Sequence, residues 1–120
     1  MINMKKNNLL LTGGFGFLGR AVHKKLSHKY NIFRFRSSEY DLRDYNQVIE
    51  LFKNKKFDYV IHAAARLGGI GDNQKNPALY FYDNISMGIN ILKCACDNKI
   101  KKLINIGTVC SYPLHTPKPF

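Results

Sequence analysis

Hydrophobic positions along the chain follow two alternating rhythms. Short unbroken apolar runs, such as Leu9-Leu10-Leu11 and Tyr59-Val60-Ile61, alternate with longer stretches where apolar residues recur every three or four positions. The short runs predict buried strands over 8–12, 31–35, 58–62 and 102–106. The spaced stretches predict helices over 17–29, with Leu18, Val22 and Leu26 as a stripe, and over 45–53, with Val48, Ile49 and Phe52 on one face. A third, long helix is predicted over 77–98, with Asn76 as N-cap and Pro77 in its first turn. Strands alternating with helices imply an α/β fold: a doubly wound parallel sheet of Rossmann type, with right-handed crossovers and helices on both faces. In the doubly wound order the strand at 102–106 is expected beside the strand at 8–12, with the sheet incomplete on its C-terminal side. No repeat, low-complexity tract or linker interrupts the pattern, and 120 residues suit one domain.

The segments between these elements are unusual at one end only. Gly13 to Gly19 follow the first strand, Arg36 and Ser37 the second, 63–71 the third and 107–112 the fourth. All are carboxyl ends of parallel strands, where such sheets bind ligands, so four loops are expected to converge on one crevice. In Leu9–Gly19, LLLTGGFGFLG, Gly13, Gly16 and Gly19 give the spacing G-x-x-G-x-x-G. A turn this tight needs residues without a Cβ, and a dinucleotide pyrophosphate can then approach the backbone and the helix N-terminus beyond it. Gly13, Gly14, Phe15, Gly16, Phe17, Leu18 and Gly19 are therefore candidate cofactor contacts. An ordinary strand-turn-helix connection is the alternative reading.

After the second strand, an NAD site usually carries a carboxylate for the ribose 2′-hydroxyl. Here the chain reads Arg34-Phe35-Arg36-Ser37-Ser38, with no carboxylate before Glu39. A guanidinium suits a 2′-phosphate, so Arg36 and Ser37 favour NADP over NAD. Asp41 and Leu42 are expected near the adenine, with a helix N-cap as the other reading of Asp41.

Composition changes the picture little. The chain is 45% hydrophobic and 22% charged, and no apolar run is long enough to cross a membrane. Its net charge of +11 raises nucleic acid as a partner, but the lysines are scattered and a solvated basic surface is expected instead. Three cysteines, Cys94, Cys96 and Cys110, make no complete disulfide framework. Cys94 and Cys96 point apart on a helix, so no metal site is expected there, and the lack of a disulfide framework implies a reducing compartment, hence a cytoplasmic location.

Several segments resemble the extended short-chain dehydrogenase/reductase family, which includes the NAD-dependent epimerases and dehydratases: 12–19, Asp41-Leu42, His62-Ala63-Ala64-Ala65, Asp83-Asn84 and Gly107-Thr108. Within it, HAAARLGGIGDN (62–73) and IGTVCSYPLHTPKPF (106–120) are similar to the GDP-L-fucose synthase group. The resemblance runs from about Asn8 to the last residue. It implies a 3,5-epimerase/4-reductase of a GDP-4-keto-6-deoxy-hexose. Ala63, Ala64, Ala65, Ile106 and Gly107 would then touch the cofactor, and the whole enzyme would be a homodimer. A C4 ketone acidifies the C3 and C5 protons, which a positioned acid/base can move. The resemblance gives that work to Cys110 and a hydroxyl on the C4 oxygen to Thr108, where the group usually has serine. For Cys110 the residues alone also allow a small buried turn residue. His62 is expected to be structural.

One departure stands out: none of the seven tyrosines has Lys four residues on, so the family's Tyr-x-x-x-Lys pair is lacking up to Phe120. The expectation is therefore an N-terminal part of a longer Rossmann domain, without its substrate domain and inactive alone. An NAD-using nucleotide-sugar 4-epimerase or dehydratase, and a non-catalytic dinucleotide-binding module, are the alternatives.

Overall fold

In a computed structural model, which describes residues 6–108, 111–113 and 115–117, the chain forms four strands and four helices in strict order. They are β1 (Asn8–Thr12), α1 (Phe17–Leu26), β2 (Asn31–Phe33), α2 (Tyr45–Asn54), β3 (Tyr59–His62), α3 (Ile70–Lys75), α4 (Pro77–Asp97) and β4 (Lys102–Asn105). All three pairings are parallel, and the strand order is β2-β1-β3-β4. The fold class expected from the periodicity is the one observed.

The expected neighbour of β4 is corrected. It pairs with β3, not with β1. The crossover through α1 places β2 on one flank of β1, and the return through α2 places β3 on the other. Both flanks of β1 are then occupied, so the next strand must extend the sheet beyond β3. Right-handed crossovers running in opposite directions put α1 on one face and α2 and α4 on the other.

Register explains which residues form the core. Phe33, Leu10, Val60 and Leu103 are aligned across the sheet, so they share one face. Leu10 and Val60 are fully buried there against Val48, Leu51 and Phe52 of α2 and Ile91, Cys94 and Ala95 of α4. Leu9 and Leu11 point to the other face and are also buried. Helix α1 covers that face thinly: only Gly19 is buried, Val22 and Leu26 are half-buried, and Leu18 of the expected stripe is exposed.

Local boundaries differ in two instructive places. Strand β2 ends at Phe33 rather than Phe35, and Phe35 instead turns into the core beside Tyr40. Helix α2 is capped by Asp44, whose carboxylate accepts from the Asn46 amide at 2.9 Å, so Asp41 is not the N-cap. Asn76 occupies the N-cap position of α4, but its side chain turns back to Asp72.

Candidate functional site

The first strand ends in a turn built around glycine. Gly13 has φ +67°, and a Cβ there would lie 2.6 Å from the Ala63 carbonyl oxygen and 2.8 Å from the Ala64 nitrogen. This turn is therefore pressed against the loop after β3. Gly19, one turn into α1, packs its Cα against the Gly13 carbonyl so closely that any side chain would collide with it. The Gly16 amide closes the turn on Gly13 O at 2.9 Å. Helix α1 starts directly from this turn with no acidic side chain in its first turn, leaving its positive end available to an anion.

Beneath the turn lies a buried polar cluster. Thr12 Oγ1 sits 2.7 Å from His62 Nδ1 and accepts from the Ala63 and Ala64 amides, each at 3.2 Å. A hydroxyl has one proton and two lone pairs. With both lone pairs engaged, the proton goes to Nδ1, which fixes His62 as the neutral Nε2–H tautomer. Burial moves its pKa the same way, below the usual histidine value. His62 thus orients the loop after β3, in the structural role expected of it.

Three of the four expected loops line one cavity of about 570 Å³. Gly13 and Gly16 come from the first, Ser37, Asp41 and Leu42 from the second, and Ala63, Ala64 and Ala65 from the third. The fourth does not reach it. Ile106, Gly107 and Thr108 line an adjoining groove of about 630 Å³ between β4 and α4, and Ala64 and Ala65 are shared by both hollows. The four loops thus meet along two adjoining hollows that join at the alanine turn. Of the two candidate catalytic residues, Thr108 is exposed in this groove, while Cys110 lies outside the described residues. Another hollow of about 580 Å³, between Lys6, Tyr30 and Lys55, opens at the other end of the strands, away from every glycine turn.

Charged residues organise the cavity wall. Asp83 of α4, almost fully buried, receives Arg66 at 2.5 Å and Arg43 at 3.3 Å. The Arg66 hydrogen bond, foremost, holds the Asp83 carboxyl below its usual range. Arg43 also chelates Asp41, whose pKa its hydrogen bonds lower in turn. Asn84 pairs with both backbone groups of Arg66, accepting from its nitrogen at 2.7 Å and donating to its oxygen at 2.9 Å. Asn90 donates to the Leu42 and Arg43 carbonyls at 3.0 and 3.1 Å. Asp83-Asn84 is among the segments that carry the family resemblance, and with Asn90 it interrupts a largely apolar helix.

Phe15, Arg34 and Arg36 form the outer rim. Both guanidinium carbons lie over the Phe15 ring, at 4.4 and 4.6 Å from its centre. Arg36 does not line the cavity itself, but its neighbour Ser37 does. Among the described residues, no group of histidine, cysteine or acidic side chains is arranged to hold a metal, and no helix is long and apolar enough to cross a membrane.

The same arrangement recurs in known proteins. GDP-L-colitose synthase from Yersinia pseudotuberculosis is 40% identical over 107 residues, covering 88% of this chain and 34% of its own length. GDP-L-fucose synthase from Escherichia coli (strain K12) is 32% identical, over 97% of this chain and 37% of that protein. The chain therefore spans about a third of these relatives. A crystal structure of a GDP-L-fucose synthetase from Naegleria fowleri bound to NADP superposes with a TM-score of 0.81 at 30% identity, over 99% of this chain and 36% of that one. A family model, the NAD dependent epimerase/dehydratase family, matches residues 9–120. With the glycine turn, the parallel sheet and the cavity at its carboxyl end all in place, the chain belongs to the NAD dependent epimerase/dehydratase family.

Proposed function

We propose that this chain is the cofactor-binding part of an NADP-dependent epimerase/reductase of GDP-4-keto-6-deoxy-hexoses, similar to GDP-L-fucose synthase. The observation that carries the reading is the pairing of the Gly13–Gly19 turn with two arginines, and no carboxylate, at the end of β2. The residues fit a phosphorylated dinucleotide. The glycine cradle would be filled by any Cβ at Gly13, and the rim is cationic where an NAD site would carry an acid.

In this reading Gly13, Gly14, Phe15, Gly16, Phe17, Leu18 and Gly19 wrap the pyrophosphate, and Arg36 and Ser37 meet the 2′-phosphate. Asp41 and Leu42 border the adenine, and Ala63, Ala64, Ala65, Ile106 and Gly107 follow the nicotinamide half. The bound cofactor would supply hydride to the C4 carbonyl. Thr108 would hold the C4 oxygen through its hydroxyl, and Cys110 would carry protons to and from C3 and C5, as a thiol titrating nearer neutrality can. The protein would act in the cytoplasm as a homodimer, with a nucleotide sugar as its partner and neither nucleic acid nor membrane.

Calorimetric titration of the chain with NADP+ and NAD+ tests the cofactor. NADP+ is expected to bind more tightly, and equal or tighter binding of NAD+ overturns the reading. For the reaction, the longest polypeptide containing this chain should oxidise NADPH when given GDP-4-keto-6-deoxy-mannose. Deuterium should enter C3 and C5 from solvent, and Cys110→Ser should suppress that exchange. Exchange unaffected by Cys110→Ser removes Cys110 from the chemistry.

A further inference from the structure

The ring of Phe15 has no place in a glycine turn that works through backbone amides. It is partly exposed, at 38%, and it carries two guanidinium groups against it. Two like charges on one ring repel each other. Here no acid compensates them: among the described residues, the salt bridges involve Arg43, Arg66, Lys93 and Lys101, and neither Arg34 nor Arg36. The adjacent acid, Glu39, accepts the Arg36 backbone amide at 2.7 Å through Oε2, which shapes the turn. Arg34 is tethered from its other side, donating from its guanidinium to the Gly14 carbonyl at 3.2 Å, and its stem covers the buried Gly14.

We propose that Phe15 is a positioning residue that stacks Arg34 and Arg36 into a paired cationic clamp for a phosphomonoester at the cavity rim. The inference rests on the NADP reading and deepens it: the ligand group is the 2′-phosphate, and discrimination depends on an aromatic side chain inside the glycine turn. Stacking on a ring face restricts the guanidinium planes while leaving their N–H edges free to donate, which is the geometry a phosphate dianion accepts. The ring also fixes two long side chains before the ligand arrives, so less rotamer freedom is lost on binding. A lysine in place of either arginine would keep the charge and lose the planar stack.

The test compares NADP+, NAD+, 2′-AMP and 5′-AMP binding to the wild-type chain and to Phe15→Leu, Phe15→Tyr and Arg34→Lys. Phe15→Leu should weaken NADP+ and 2′-AMP about tenfold more than it weakens NAD+ and 5′-AMP, the size of two exposed cation–π contacts. Phe15→Tyr keeps the ring face and should restore the wild-type values. Arg34→Lys should behave as Phe15→Leu does. Retained NAD+ binding in each variant also reports that the glycine turn remains folded. If Phe15→Leu cannot be purified folded, Arg34→Lys and Phe15→Tyr decide: equal loss in both, or loss in neither, overturns the clamp. Should wild type prefer NADP+ while Phe15→Leu keeps that preference intact, the cofactor reading stands and the role of Phe15 falls. Should wild type fail to prefer NADP+, the cofactor reading itself falls.

Discussion

Thr12 and His62 show how two buried polar side chains can set the position of a loop. Neither strand end could bury a hydroxyl or an imidazole alone without leaving it unsatisfied. Together they satisfy each other and the Ala63 and Ala64 amides, so the alanine turn is held where it meets Gly13. The arrangement requires neutral His62, and this makes stability depend on pH. The folded-state pKa lies below the ordinary 6.5, whereas the unfolded chain takes up a proton near that value. The unfolded state therefore binds more protons below about pH 6.5, and stability present above it is lost on acidification. Urea unfolding should show lower stability at about pH 5.5 than at about pH 7.5, a difference that His62→Asn removes, because asparagine still accepts from Thr12 but does not titrate. An equal loss in the variant would place the effect elsewhere.

At the scale of elements, α4 governs the site although it supplies no candidate catalytic group. Asp83, Asn84, Met87 and Asn90 lie along one side of it, and between them they touch the loop after β2 and the loop after β3. Both loops are thereby tied to one helix 21 residues long. Asn84→Ala removes two hydrogen bonds to the Arg66 backbone, a local loss of about 1–2 kcal/mol. Hydrogen exchange at residues 66–69 should quicken about tenfold while exchange in β1 and β3 stays unchanged. Uniform acceleration would mean that the helix supports the whole fold rather than the loop. This coupling also marks how far the sequence could be read. Strands β1 and β3 were legible as short unbroken apolar runs, and helices α1, α2 and α4 from local signals, an apolar stripe in the first two and a proline at the start of the third. The six residues of α3 were not, since a Gly-Gly-Ile-Gly stretch carries no apolar period and none of them is buried. The glycine turn was legible from spacing alone. The Arg43–Asp83–Arg66 network joins residues 17 and 40 positions apart, and no local rule predicts such contacts. Strand order escaped for the same reason: the run of Lys102–Asn105 says that it is a strand, and only the direction of successive crossovers says where it lies.

Taken whole, the molecule has one well-covered side and one open side. The core between the sheet and α2 and α4 is closed, but the radius of gyration, 16.0 Å, exceeds the about 14 Å expected of a compact chain this long. Along α4, Tyr82, Ile85, Ile89 and Leu92 follow a three-four spacing and are 43–68% exposed. Next to them β4 ends the sheet order, with Ile104 and Ile106 each 46% exposed. A parallel edge offers unpaired backbone groups as a template for another strand, and an exposed stripe of this kind usually marks a contact. Half-burying each of the four α4 side chains is worth about 1 kcal/mol, or about 8 kcal/mol over two copies before the cost of association, so the contact is expected to be weak and to need high protein concentration. The 120-residue chain should therefore self-associate, and sedimentation velocity should show a sedimentation coefficient that rises with concentration. Ile89→Lys with Leu92→Glu should shift it to monomer if the helix stripe is the contact, and should leave it unchanged if the β4 edge is. In that second case Ile104→Lys, which blunts an edge with charge, should act instead. A concentration-independent monomer with a cooperative unfolding transition would sink both.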